Sequence, residues 1–229
     1  ENNVTVNNNL TAGTNATSDI NIDADEGMAR QTTGNMLAGG NVYIDGGSGV
    51  DLNGTIGAAT AIGIDVDIES AYGSVSIDGN ITANDDVFVD AANNIVVGNS
   101  ADITADNDNI SGTIGGNVDM TADSDSSSAG DLTINDGSTV IGERVMLDGY
   151  NVTSDVVTAR NEADTAGTKI TITGEHDVTI NDNTTVVSAV NGDIEITSTQ
   201  GSTNQTAGTI LATNGGVEIV AGKDIDVIE

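Results

Sequence analysis

Carboxylates are the side chains of this 229-residue chain with the numbers to do chemistry: 36 Asp and Glu stand against five Lys and Arg. Two close pairs, Asp106/Asp108 and Asp123/Asp125, fall in stretches that read as loops. Carboxylate oxygens in a loop suit a hard cation, so calcium is the one candidate cofactor. The glycine-rich nonapeptide of calcium-binding β-rolls is missing, as is an EF-hand loop. In so Asp-rich a chain such pairs arise by chance, and the expectation is no cofactor. Cleavage of a polysaccharide needs clustered carboxylates together with Arg or Lys, to hold an acidic sugar or take a proton. The available cations are Arg30, Arg144, Arg160, Lys169 and Lys223. His176 is the sole His and there is no Cys, so no triad, imidazole cluster or thiolate site forms within one chain. The chain reads as non-catalytic.

The net charge of −31 repels nucleic acid and anionic membranes, and keeps a strand-rich chain soluble. No apolar run is long enough to span a bilayer. Phe88 is the only Phe, there are three Tyr and no Trp. Such a chain expects a narrow core of Val, Ile, Leu and Ala. It begins at Glu1 without a signal peptide, which reads as a processed product or an excised segment.

The elements that must position these groups are announced by a repeated phrase. A Gly, Asn or Asp precedes an apolar–x–apolar triplet, and a small or turn-forming residue follows. Examples are Gly116-Asn117-Val118-Asp119-Met120 and Gly192-Asp193-Ile194-Glu195-Ile196. The first apolar residues of the major phrases are Ile20, Val42, Val66, Val87, Val118, Val145, Ile170, Ile194 and Val217. Their spacings are 22, 24, 21, 31, 27, 25, 24 and 23 residues, the signature of a solenoid with loops of variable length. Second phrases follow at Val50, Val75, Ile95, Val178 and Ile225, and shorter third ones at Ile56, Ile81, Ile103 and Val186.

One period therefore holds three short strands. The chain is expected to be all-β, a single-stranded parallel β-helix of about nine coils over residues 1–229. The first apolar residues form its inward ladder. Loop excursions are expected near 25–39, 105–116, 122–130 and 154–167, with a helical turn conceivable in the first and last. Gly, Asn and Asp at the corners would supply turn and positive-φ conformations. Outward positions include Tyr43, Asp67, Phe88, Asp119, Met146, Thr171, Glu195 and Glu218, which form no uniform acidic cleft, aromatic platform or threonine face.

The phrases Gly40-Asn41-Val42-Tyr43-Ile44, Gly130-Asp131-Leu132, His176-Asp177-Val178 and Gly192-Asp193-Ile194 resemble the haemagglutinin-type repeats of filamentous haemagglutinin-like bacterial adhesins. The resemblance covers most of the chain and implies a right-handed β-helix rod exported to the cell surface or secreted. The family's secretion domain carries Asn-Pro motifs, and this chain has no Pro.

The pattern begins by Val4 and Val6 and continues to Ile225 and Val227 without a cap. An open edge recruits other chains. These four residues are thus candidates for a head-to-tail interface between copies, or for contact with flanking repeats of a longer rod. The expected function is an extracellular structural filament subunit or adhesin stalk. The alternative is a carbohydrate- or receptor-binding module that meets a host or neighbouring cell through protruding loops. An extracellular polysaccharide-processing enzyme ranks third. Neither nucleic acid nor membrane insertion is expected.

Overall fold

Alternation of inward apolar and outward polar residues, repeated at every coil, can bury its apolar side only by stacking on the next coil. A computed structural model shows this arrangement. It describes residues 2–58, 64–105, 116–125, 127, 129–160, 168–189 and 192–227. These residues form 26 strands, every pairing between them is parallel, and no helix occurs among them.

The strands line three faces of a β-solenoid. Face 1 begins with Val4–Val6, Met28–Gln31 and Gly49–Leu52, and ends with Ile225–Val227. Face 2 begins with Leu10–Thr11, Met36–Ala38 and Ile56–Ala58. Face 3 is a separate nine-stranded sheet running from Ile20–Asp23 to Val217–Ala221. Two long strands, Val178–Ala189 and Thr203–Ala212, run through faces 1 and 2 and join them into one 17-stranded sheet. Nine strands in face 3 are separated by eight turns, so that ladder is ~38 Å long at ~4.8 Å per step.

Register turns the one-dimensional pattern into columns. On face 3, Val42 pairs with Val66, Val66 with Val87 and Val87 with Val118. All four are fully buried. Face 2 carries a column of Ala38, Ala58, Ala83, Ala105 and Ala159, each at most 2% exposed. Gly142 pairs with Ala159 in the same column, so small residues fill it throughout. Close stacking also explains Gly79: a Cβ there would collide with the Gly54 carbonyl of the coil before.

The corners differ from expectation. The Asn and Asp that open each phrase do not supply positive φ; the described non-glycine residues with φ in that region are Asp25, Ser100 and Asp123. Their side chains act instead. Each presents Oδ1 to the backbone N–H of its counterpart one coil later. Asn41 N–H donates to Asp19 at 2.9 Å, Asp65 N–H to Asn41 at 3.0 Å, Asp86 N–H to Asp65 at 3.1 Å and Asn117 N–H to Asp86 at 2.7 Å. A second corner runs likewise, with Asp131 N–H on Asn94, Asp177 N–H on Asn151 and Ser202 N–H on Asp177. Asn and Asp alternate freely because the position requires only an acceptor.

The excursion expected over 25–39 is instead two ordinary strands, Met28–Gln31 and Met36–Ala38. Its signal was hidden because Gln31 occupies an inward position with 0% exposure. The Gln31 amide donates to the Gly34 carbonyl at 3.0 Å, with Gly34 at φ 83°. The same turn recurs near the other end, where Gln205 donates to Gly208 at 2.8 Å. Toward 154–167, Val156–Ala159 is a strand, so no helical turn begins there. The stretches 106–115 and 161–167 lie outside the described residues.

Candidate functional site

Face 3 is a sheet of its own with nine strands, and its outward residues form two rows. The first is the row read from the sequence: Tyr43, Asp67, Phe88, Asp119 and Met146 are successive register partners. The second lies two residues further along each strand. There Asp23, Asp45, Glu69 and Asp90 pair in sequence, and Asp148 follows beyond Thr121. The second row was not anticipated from the sequence. Its signal was present as the residue after the second inward apolar position in Ile44-Asp45, Ile68-Glu69 and Val89-Asp90.

Carboxylates stacked at ~4.8 Å repel one another. Asn21, Asp23, Tyr43, Asp45, Asp67 and Glu69 surround a shallow depression of about 290 Å³. Burial, reinforced by Asp23 and Asp25, raises the Asp45 carboxyl above its ordinary range. Burial also raises Asp67, with Asp65, Asp90 and Asp45 adding to it, and Glu69, with Asp45 and Asp90 adding to it. Asp119 is raised by burial and by Asp90 and Asp148 against the pull of Arg144. Burial raises Asp148 against a hydrogen bond from the Gly149 N–H. Asp45 Oδ1 is enclosed without a hydrogen-bond partner.

Beside this face, Asp65, Asp85 and Asp86 bring carboxylate oxygens within 4.8 Å of one another, close enough to share one hard cation. Two of those carboxylates already accept a corner N–H. Of the sequence candidates for calcium, Asp106 and Asp108 lie outside the described residues. Asp123 and Asp125 both direct Oδ1 at the Ser127 N–H, at 2.7 and 3.0 Å, which closes a compact turn. Asp123 holds that turn at φ 61°.

His176 lies at a corner, with Nδ1 2.9 Å from Asp177 Oδ2 and its ring stacked on Tyr150 at 5.6 Å. A backbone hydrogen bond from Ser202 holds the Asp177 carboxyl below its ordinary range, and His176 adds to this. The nearby Ser198 hydroxyl donates to the His176 carbonyl oxygen rather than to the imidazole. A His–Asp pair is therefore present, while Ser198 is committed to the backbone.

Of the inward ladder, Ile20, Val42, Val66, Val87, Val118, Val145, Ile170 and Ile194 are buried. Val217 is not: it keeps register with Ile194 but is 43% exposed, because no described coil covers it. Val4 and Val6 are partly buried against the core, whereas Ile225 and Val227 are 52% and 49% exposed. No protein-family model, curated protein or solved structure matches this chain.

Proposed function

We propose that the chain is a non-catalytic structural rod, a filament subunit or a segment of an adhesin stalk at the extracellular surface. The observation that carries this reading is the continuity of the ladders. Parallel pairing passes from coil to coil and leaves Val217, Ile225 and Val227 open at the C-terminal end. Each coil's apolar side is buried only by the coil stacked on it, which suits a repeating rod. The likeness to haemagglutinin-repeat adhesins, carried by the Gly-Asn/Asp-apolar phrases, supports the same role. The partner is a second copy stacked head-to-tail or flanking repeats of a longer rod.

Electron microscopy of a native preparation tests the assembly. The expected result is rods longer than the ~38 Å of one ladder. Particles confined to a single chain's length would sink the proposal. Ile225→Lys combined with Val227→Lys, which puts two charges on the open column, is expected to shorten the rods. Protease accessibility on intact producing cells tests the surface location.

A further inference from the structure

The first outward row of face 3 alternates in chemistry. Tyr43, Phe88 and Met146 are 39%, 38% and 39% exposed, and Asp67 and Asp119 lie between them. An apolar side chain therefore recurs at every second coil, a spacing of ~10 Å. The Asn41 amide donates to the Tyr43 hydroxyl at 2.6 Å and fixes the lie of that ring. Alongside, Asp45, Glu69 and Asp90 form a parallel line of negative charge.

We propose that this face binds an extended β-1,4-linked amino-sugar polysaccharide, a polymer of glucosamine, laid along the rod axis. Sugar rings present apolar C–H faces that stack on aromatic side chains. In an extended β-1,4-linked chain the same ring face recurs at every second sugar, in step with the ~10 Å two-coil spacing. The ammonium groups of such a polymer would meet Asp67, Asp119 and the adjoining acidic line. Each relieves the mutual repulsion of the carboxylates it contacts. An acidic glycan would add to that repulsion, and a neutral one would leave it in place. A basic peptide strand also offers charge, but its same-side residues recur at ~7 Å, out of step with the apolar positions.

Isothermal titration of the intact chain with a glucosamine hexamer, its fully N-acetylated counterpart and oligolysine tests this proposal. The glucosamine hexamer is expected to bind about tenfold more tightly than the acetylated one. Tyr43→Ala and Phe88→Ala are each expected to weaken it about fivefold, as loss of a ring-stacking contact would. Leu37→Ala, a change at an exposed position of face 2, is expected to leave binding unaltered. Unchanged circular dichroism of the variants separates lost contact from lost fold. Three results would each overturn the proposal: no binding of the glucosamine hexamer, no effect of Phe88→Ala, or oligolysine binding equally tightly with the same sensitivity to Phe88.

Discussion

Ile194 shows what a single inward position contributes. It is fully buried, pairs with Ile170 on one side and Val217 on the other, and has no aqueous escape route. Ile194→Asp would bury an unpaired charge between coils and is expected to cost about 4 kcal/mol. The neighbouring Glu195 points outward, so Glu195→Gln is expected to change stability by less than about 0.5 kcal/mol. Urea denaturation of the two variants distinguishes the positions, and equal midpoints would refute the inward assignment. Residues of the Asp65 kind have a different role, since a corner needs an acceptor more than a charge. Those corner bonds explain why the repeated phrase opens on Asn and Asp rather than on glycine alone.

At the scale of the sheet, face 3 combines order with electrostatic stress. Asp45, Asp67, Glu69, Asp119 and Asp148 all titrate above their ordinary values. Across that range the folded state binds more protons than the unfolded state, so stability falls as pH rises. Lowering pH from 7 toward about 5 is therefore expected to raise the melting temperature, as these groups begin to take up protons. Asp177 works in the opposite sense, but its contribution is lost only below the ordinary carboxylate range. Thermal melts across this interval check the sign; a melting temperature falling on acidification would contradict it. The three strands per coil and the apolar columns were legible because β-structure alternates strictly with period two. The strand Met28–Gln31 was not, because Gln31 and Ala29 replace the large apolar residues that mark an inward position. The second acidic row escaped because its meaning depends on register, which places Asp45 beside Glu69 although 24 residues separate them in sequence. Nothing local to either residue reports that proximity.

For the molecule as a whole, a charge of −31 opposes the joining of one rod to another. Salt screens repulsion between exposed charges while leaving apolar burial at the ends intact. Rod length in electron micrographs is therefore expected to increase between about 10 mM and 150 mM salt, as the Debye length falls from ~30 Å to ~8 Å. A decrease would point to joining by charge rather than by the apolar columns. The corner bonds set the geometry of any such joint. In the series through Asp19, Asn41, Asp65 and Asp86, the side-chain acceptor belongs to the earlier coil and the N–H to the later one. Because every pairing between described strands is parallel, the two ends of the rod are not equivalent: two like ends could meet only with their strands antiparallel. A finished coil is a template for the one synthesised after it, so the fold can wind up in the order in which the chain emerges. The same asymmetry gives the rod a sense of direction, as in a one-way track, and disfavours joining two like ends.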